Sequence, residues 1–428
     1  MIPLCPWLAF MVAAFRASSM RYRVVLFVLA TTPLIGQLTT ACVEGAEYVI
    51  HISVDGLNSG VLQSLIDAGE APTFKRFEEE GAWTINARAD YSFTITLPNH
   101  TTILTGRPVL EPAGLPNVPF HNWTSNTIPR RGLTLHQHGY IPSVFDVVHD
   151  AGRSTALFSS KDKFVLFDQS YDQTNGAANQ HGRDKIDMFF TEDDGPPKFS
   201  QTMNDRFIAE MGARHFNYAF VHYRDADSVG HVLRWDSSTY RWAVRNVDGF
   251  IAGVFRLVET DPKLKGKTTI VLTADHGGSA FGHVNPTLKE NFTVPVFVWG
   301  EGVAHGDLYA MNRDTRTNPG DERIDYATQP QPIRNGDTGN LALSLLGLGS
   351  IPTSLINAKQ DLRVALAGDF NLDGTVDAAD EIIWKKTQGS KVNLQADGNH
   401  DGRVDQADYD LWRAHFGETV LAKKNGQK

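Results

Sequence analysis

Three apolar segments of the chain each end in an aspartate. They are VIHISVDG, YAFVHYRDADSVGH and IVLTADHGG, which carry Asp55, Asp227 with His231, and Asp275 with His276. Short apolar runs bounded by polar residues predict buried strands of a parallel sheet, and ligands of such sheets bind beyond the carboxyl ends of the strands. A single aspartate there is commonly a turn residue or a helix cap. Three of them with two histidines predict a metal site.

The spacing of these residues fits metal ligation. Asp227 and His231 are four residues apart, which places both side chains on one face of a helical turn. Asp275 and His276 are adjacent, as suits a loop at the tip of a strand. Carboxylate and imidazole ligands without thiolate favour Zn²⁺ in a catalytic setting, with Mn²⁺ or Fe as alternatives. The pattern therefore predicts a two-metal hydrolase.

The motifs TLPNH, DSVGH and ADHGG, in this order, resemble those of the alkaline phosphatase superfamily, and within it the type I phosphodiesterase and nucleotide pyrophosphatase branch. The resemblance extends over residues 48–356. It implies that Thr96 is the nucleophile and forms a phospho-threonine intermediate. It further implies two zinc sites. One is held by Asp55, Asp275, His276 and the Thr96 oxygen, and the other by Asp227, His231 and a third histidine.

Two roles implied by the resemblance have more than one candidate. The third histidine is either His283, in FGHVNP, or His305, and we favour His283 because it follows closely after Asp275 and His276. The branch also uses an asparagine that donates to a phosphoryl oxygen. Asn126 is the best match for it, with Asn122 and Asn117 as alternatives.

Related enzymes of the same superfamily differ at the nucleophile. A sulfatase requires a Cys or Ser in a C-x-P-x-R context, whereas this chain has Thr96 followed by Leu-Pro-Asn-His. Phosphomonoesterases mostly use Ser with a nearby Arg, and the arginine that follows Thr96 here is Arg107, beyond the predicted helix. The sequence therefore favours a phosphate diester or pyrophosphate substrate, although Lys161 or Lys163 could supply the missing charge.

The composition and the N-terminal segment favour an exported globular protein. The chain has 428 residues, 41% of them hydrophobic, and a net charge of −9, so nothing indicates binding to duplex nucleic acid. From Met20 the chain has two arginines, an apolar stretch and then small residues of the kind found at a cleavage site. This pattern predicts a signal peptide and an extracytoplasmic location. The cysteines are Cys5 and Cys42, so the mature protein lacks a disulfide framework. Lipidation at Cys42 is a weaker alternative.

Apolar runs alternate with helical periodicity, which predicts an α/β fold, a three-layer αβα sandwich with a mostly parallel sheet. Residues 72–81 and 240–257 are predicted helices, STALFSS and VPVFVWG are predicted strands, and the polar segment 173–199 is predicted to form loops over the site. The predicted domains are a leader at 1–46, a catalytic domain at 47–356, a linker at 357–366, a calcium-binding domain at 367–417 and a tail at 418–428.

The predicted calcium-binding domain contains a twofold repeat, DFNLDGTVDAAD and DGNHDGRVDQAD. Each copy has the EF-hand loop pattern, with oxygen side chains at positions 1, 3, 5, 9 and 12 and Gly at position 6, except that Asp replaces Glu at position 12. With a short helix after each loop, the repeat resembles a type I dockerin, a small all-α domain. The predicted ligands of two calcium ions, with Thr375 and Arg403 acting through their backbone carbonyls, are Asp369, Asn371, Asp373, Thr375, Asp377, Asp380, Asp397, Asn399, Asp401, Arg403, Asp405 and Asp408.

Two classes of function remain open. The first is a secreted two-zinc hydrolase with a calcium-binding C-terminal module, which is either an attachment module for a cohesin-like or cell-surface partner or a calcium-stabilised spacer. The second is a binding protein in which the hydrolase fold is inactive. The joint presence of Thr96 and the predicted zinc ligands favours the enzyme, because an inactive copy has no chemical reason to keep them together.

Overall fold

The computed structural model describes residues 46–280, 282–399 and 401–420, and these belong to one compact unit. The predicted signal peptide, Cys5 and Cys42 lie outside the described residues. Within the described part of the chain, no helix combines the length and the apolar character needed to cross a bilayer.

The described strands form one eight-stranded sheet in the order β4-β3-β5-β1-β6-β7-β2-β8. β7 runs antiparallel to both β6 and β2, and the other pairs are parallel. The strands are β1 Tyr48–Val54, β2 Ala82–Arg88, β3 Thr155–Ser159, β4 Met188–Thr191, β5 Tyr218–Tyr223, β6 Thr268–Thr273, β7 Thr293–Gly300 and β8 Gly306–Asp307.

Helices flank this sheet. They are α1 Ser59–Asp67, α2 Pro72–Glu80, α3 Thr96–Thr105, α4 Val144–Asp150, α5 Val165–Ser170, α6 Gln201–Arg214, α7 Asp225–Leu233, α8 Ser238–Thr260, α9 Lys289–Phe292, α10 Leu308–Met311, α11 Asp337–Leu345, α12 Ala378–Thr387 and α13 Gln406–His415. Helices α1, α2, α6 and α7 contact α8 or one another, whereas α3, α4 and α11 form a separate group. The predicted α/β class is confirmed as a mixed sheet with flanking helices.

One expectation is confirmed and another needs correction. The strand VPVFVWG forms as β7, which runs antiparallel to β6 and β2, and the sheet as a whole is mostly parallel, as predicted. The segment 173–199 is not composed of loops alone, because β4 lies within it and pairs with β3 at the edge of the sheet. The short apolar run Met188–Phe190, surrounded by polar residues, is too brief to produce a recognisable strand pattern in the sequence.

The carboxyl ends of three adjacent parallel strands meet at one edge of the sheet. β1 lies between β5 and β6, with Ser53 aligned with both His222 and Thr273. Asp55 directly follows β1, Asp275 follows β6, and α7 begins two residues after β5 ends. This arrangement brings the three aspartates of the sequence motifs to the same place.

Helix α3 is fastened to this edge by buried amides. The Asn335 Nδ2 group donates to the carbonyls of Ala274 and Asp275, at 3.2 and 3.0 Å, and lies 3.2 Å from Asn99 Oδ1 on α3. Asn99 in turn accepts from the Asp90 N–H at 2.9 Å. Because Asn99 and Asn335 are fully buried, these bonds fix the start of α3 relative to the end of β6.

The C-terminal repeat folds with internal twofold correspondence. The Trp384 indole of α12 donates to the Asp405 carbonyl at 2.8 Å, and the Trp412 indole of α13 donates to the Asp377 carbonyl at 2.9 Å. The predicted linker 357–366 is anchored, since Leu362 and Val364 are buried and the Val364 carbonyl accepts from the Ala304 N–H. The repeat therefore continues the packed unit.

Candidate metal centre

The first ligand group consists of Asp55, Asp275 and His276, all fully buried. The His276 Nε2 atom lies 3.5 Å from Asp55 Oδ1 and 3.2 Å from Asp275 Oδ2. The His276 Nδ1 atom faces the Gly277 carbonyl at 2.8 Å, so it carries the proton and leaves the Nε2 lone pair directed at the carboxylates. This tautomer is the one that binds a metal through Nε2.

The second ligand group consists of Asp227, His231 and His283. The His231 Nε2 atom is 3.2 Å from Asp227 Oδ1 and 3.0 Å from His283 Nε2. His283 Nε2 is in turn 3.5 Å from Asp227 Oδ1. His283 Nδ1 donates to the Thr94 carbonyl at 2.5 Å, so its Nε2 lone pair also faces the group. Asp227 and His231 lie one turn apart on α7, as their spacing predicts. His231 is half exposed at the rim.

The two groups adjoin each other, and Thr96 lies beside them. The rings of His276 and His283 stack with centroids 3.7 Å apart, so Asp227, His276 and His283 also qualify as a ligand cluster. Thr96 is buried at the first position of α3. Thr94, two residues before Thr96, is hydrogen-bonded to His283. His100, one turn after Thr96, has its Nδ1 atom 3.6 Å from Asp275 Oδ2. These contacts hold Thr96 between the residues of both groups.

The unsatisfied atoms of this region fit bound cations. Several buried polar atoms of the described residues lack a hydrogen-bond partner, and four of them lie together in the two ligand groups, namely Asp55 Oδ1, Asp227 Oδ1, Asp275 Oδ2 and His276 Nε2. A buried polar atom without a partner is costly, and the cost is concentrated where these four atoms converge. Oxygen and imidazole nitrogen without sulfur are the donor set of a catalytic zinc site.

The charge distribution gives the same indication. Burial, together with the nearby charges of Asp55 and Asp227, raises the pKa of Asp275 well above its usual value. Burial lowers the pKa of His276 to about 3 and also lowers that of His283, so both imidazoles are neutral, as metal ligation requires. A divalent cation would relieve the crowding of the three carboxylates.

Lys161 and His222 contact Asp55; the sequence suggested Lys161 as a positive charge for the substrate but not as a partner of Asp55, and it gave no role to His222. The Lys161 ammonium, just after β3, lies 2.6 Å from Asp55 Oδ2 and 2.6 Å from Asp227 Oδ2. His222, on β5, donates to Asp55 Oδ2 at 3.0 Å. Burial of Asp55 opposes its ionisation, but Lys161 and His222 hold its pKa well below the usual value. The only sequence signal for His222 is an imidazole within an apolar strand.

Asn126 lies at the amino end of α3, next to Thr96. Its Oδ1 atom accepts from the Leu97 N–H at 2.9 Å and lies 3.4 Å from the Lys163 ammonium. Its Oδ1 is thereby occupied, and the Nδ2 donor remains for another partner. The alternatives Asn117, in a turn, and Asn122, in an irregular segment, are exposed residues with positive φ.

His305 lies away from both ligand groups. β7 is antiparallel to β6, with Gly300 aligned with Thr269, so residues after β7 emerge at the amino end of β6. His305 lines a cavity of about 350 Å³ there, together with Glu80 and Trp299. Of the two candidate histidines, His283 is the one near the aspartates.

The predicted calcium loops are held by their own carboxylates. Asp369 accepts from the N–H groups of Asp373 and Gly374, at 3.1 and 2.8 Å, and Asp397 makes the same two bonds to Asp401 and Gly402. Burial, with repulsion from Asp380 and Asp373, raises the pKa of Asp369 to about 6. Among the described residues, the clusters of three or more ligands fall in the metal centre and not in these loops.

The side chains at the last predicted positions also cap helices. Asp377 and Asp380 form a capping box at the start of α12, and Asp405 and Asp408 form one at the start of α13. Positions 3 and 5 are joined by side-chain bonds, between Asn371 and Asp373 and between Asn399 and Asp401. Thr375 and Arg403 donate their N–H groups to Asp373 and Asp401.

Comparison with known proteins places these residues in a family. GPI ethanolamine phosphate transferase 1 of Neurospora crassa is 28% identical over 176 residues, which is 39% of this chain and 18% of that protein. The Aspergillus oryzae protein of the same name is 28% identical over 254 residues, which is 55% of this chain and 25% of that protein. The chain thus spans 18% to 25% of the length of these curated relatives.

A solved structure, wild-type alkaline phosphatase PafA, aligns with 75% of this chain and 99% of its own at a TM-score of 0.50 and 12% identity, which shows a shared fold. The family model for type I phosphodiesterase / nucleotide pyrophosphatase matches residues 49–328. Since that match extends over more than half of the chain, the protein belongs to the type I phosphodiesterase / nucleotide pyrophosphatase family.

Proposed function

We propose that the protein is a two-zinc hydrolase that cleaves phosphate diester or nucleotide pyrophosphate bonds through a phospho-threonine intermediate. The observation that carries the proposal is the convergence of four partnerless buried ligand atoms beside Thr96. The inactive alternative is disfavoured, because a fold without chemistry gains nothing from burying carboxylates that repel one another.

Each ligand group would hold one zinc ion, with Thr96 contributing its oxygen to the first group. Bound zinc ions would lower the pKa of the Thr96 hydroxyl and of water and would stabilise charge on the phosphoryl oxygens. The Thr96 oxygen then attacks phosphorus, and the bond from phosphorus to the leaving oxygen breaks. Water attacks the phospho-threonine in the second step, which restores the hydroxyl and releases a phosphate monoester.

Asn126 would orient the phosphoryl group. Because its Oδ1 atom is occupied by the Leu97 N–H, its Nδ2 group is the end of the amide that can donate to a nonbridging oxygen. The amino end of α3 adds a partial positive charge at the same place. Curated relatives are named as phosphate transferases, so an acceptor alcohol in place of water is a further outcome of the same intermediate.

A second candidate, phosphate monoester hydrolysis, is favoured by one observation. Two ammonium groups, those of Lys161 and Lys163, lie on the side of the site next to Asn126 and the aspartates. A monoester dianion carries one more negative charge than a diester and gains more from such groups. Substrate charge therefore separates the two candidates.

In this proposal the protein acts outside the cytoplasm, and its C-terminal repeat is a calcium-binding attachment module. Export rests on the leader sequence from Met20. The module rests on the repeated loop pattern, on the glycines at position 6, Gly374 and Gly402, with φ of 83° and 84°, and on the clustering of carboxylates around Asp369. A cohesin-like or cell-surface protein is the proposed partner.

The nucleophile is tested by replacing Thr96. Thr96→Ala removes the attacking oxygen, so turnover of a phosphate diester should fall by a factor of about 10³ or more, while zinc content stays close to that of the wild type. Thr96→Ser keeps a hydroxyl and should retain measurable turnover. Near-normal activity of the alanine variant would exclude Thr96 as the nucleophile.

The substrate class is tested with aryl phosphate diesters, monoesters and sulfate esters. The diesterase proposal predicts the highest kcat/KM on the diester and none on the sulfate ester. If monoesters are the better substrates, Lys163→Ala should lower kcat/KM for the monoester about tenfold more than for the diester, because only the dianion carries the extra charge. Preference for sulfate would contradict both candidates.

The third ligand of the second group is tested by zinc content. His283→Ala should lower the zinc bound per chain from two ions toward one, because catalytic zinc sites commonly keep three protein ligands. His305→Ala, a matched substitution at the opposite end of the sheet, should leave the content unchanged. The reverse pattern would transfer the role to His305.

Calcium binding is tested on the full chain with zinc present throughout. Adding calcium to calcium-free protein should slow amide exchange in residues 367–417, because a cation would neutralise carboxylates that otherwise repel one another. Asp369→Ala with Asp397→Ala should abolish this protection, and Asp410→Ala, on α13 outside the loops, should preserve it. Equal exchange with and without calcium would leave the repeat as a structural element held by its capping boxes.

A further inference from the structure

Lys161 places a positive charge between the two ligand groups. Its ammonium lies 2.6 Å from one oxygen of Asp55 and 2.6 Å from one oxygen of Asp227, and its side chain is only 9% exposed. The Ser159 hydroxyl accepts from the Lys161 N–H at 3.1 Å and lies 3.1 Å from the Lys161 carbonyl, which fixes the backbone at the end of β3. One cation thus bridges one carboxylate of each group.

The contact divides the oxygens of each carboxylate. Oδ2 of Asp55 and of Asp227 faces Lys161, whereas Oδ1 of each is partnerless and faces the histidines of its own group. Buried carboxylates without a counter-ion are strongly unfavourable. In the absence of other cations, Lys161 is the group that offsets the charge of both residues.

We propose that Lys161 is an internal counter-ion that stabilises the metal-free site and opposes metal loading. This inference rests on the proposed pair of metal ions. In the metal-free protein the ammonium sits among carboxylates, and the interaction is attractive. Two divalent cations would neutralise the three carboxylates together with the Thr96 oxygen, so the same ammonium would lose the attraction that it has in the metal-free site.

The direction in which loss of the Lys161 charge changes zinc affinity distinguishes a counter-ion from an ordinary structural residue. Removing the ammonium should destabilise the metal-free protein and at the same time strengthen metal binding, because only the metal-free state loses an attraction. A residue that only supports the local fold would weaken both properties when removed. Lys161 therefore acts as a positioning residue with opposite effects on the two states.

The test is Lys161→Met, which keeps the length of the side chain and removes its charge. We expect the unfolding temperature of the metal-free variant to fall by several degrees. We expect its zinc dissociation constants, measured by competition with a chromophoric chelator, to decrease about tenfold. Zinc affinity that is unchanged or weaker would overturn the inference. If the metal-free variant does not fold, recovery of folded protein on refolding with zinc supports the inference, and failure to recover overturns it.

Lys163→Met is the matched control. It removes the same charge two residues away, but the Lys163 ammonium lies next to Asn126 rather than bridging the two aspartates. The effects of Lys163→Met on stability and on zinc affinity should be smaller than those of Lys161→Met. If both variants bound zinc more tightly by the same factor, the effect would come from net charge alone, which would overturn the inference. A wild-type protein that binds no zinc would contradict the proposed function itself. A wild type that binds two zinc ions and hydrolyses substrate, with no tightening in Lys161→Met, would overturn only the role of Lys161.

Discussion

The structure depends on the accommodation of three buried carboxylates at one edge of the sheet. Asp55, Asp227 and Asp275 reach the same place because β5, β1 and β6 are adjacent and parallel. Burial of several like charges is costly unless cations or donors compensate for it. Lys161, His222 and the Gly56 N–H, which donates to Asp275 at 3.1 Å, supply part of the compensation. The remaining partnerless atoms define where metal ions would complete it.

Thr96, the proposed nucleophile, and the ligand groups form one connected assembly. Asn335 joins the end of β6 to Asn99 on α3, and Thr94 joins the approach to α3 to His283. Below them, Ser53, His222 and Ser159 occupy the same register on three neighbouring strands, with Ser53 bonded to His100 and Ser159 to His222. Because each contact is buried, Thr96 and the aspartates keep a fixed geometry, which in-line attack on phosphorus requires.

The aspartates of the C-terminal repeat have different contacts from those of the two ligand groups. Its aspartates are shared between loop N–H groups and helix caps, so they have protein partners, in contrast to the partnerless oxygens of the metal centre. The residues just after the repeat join it to the rest of the unit, since Val420 donates its N–H to the Gly374 carbonyl and lies close against Gly306 of β8. A partner of this module would bind a surface that is already attached to the catalytic fold.

Features that depend on local spacing were predictable from the sequence. The helices at 72–81 and 240–257, the common helical face of Asp227 and His231, and the meeting of three strand-terminal aspartates all follow from short patterns and from the rule for parallel sheets. The family motifs indicated Thr96, and closeness along the chain to Asp275 and His276 favoured His283. The order of the strands, the reversal of β7 and the edge strand β4 were decided by pairing between distant segments.

The tertiary structure also decided which side chains complete the site. Lys161 follows β3 and His222 lies on β5, and each meets Asp55 across more than 100 residues of chain. Neither residue has a local pattern that indicates an aspartate as its partner. The sequence by itself determined which residues could do the chemistry, because their types and spacing are local properties. The fold determined which charges surround them, because electrostatic interactions depend on distance in space and not on distance along the chain.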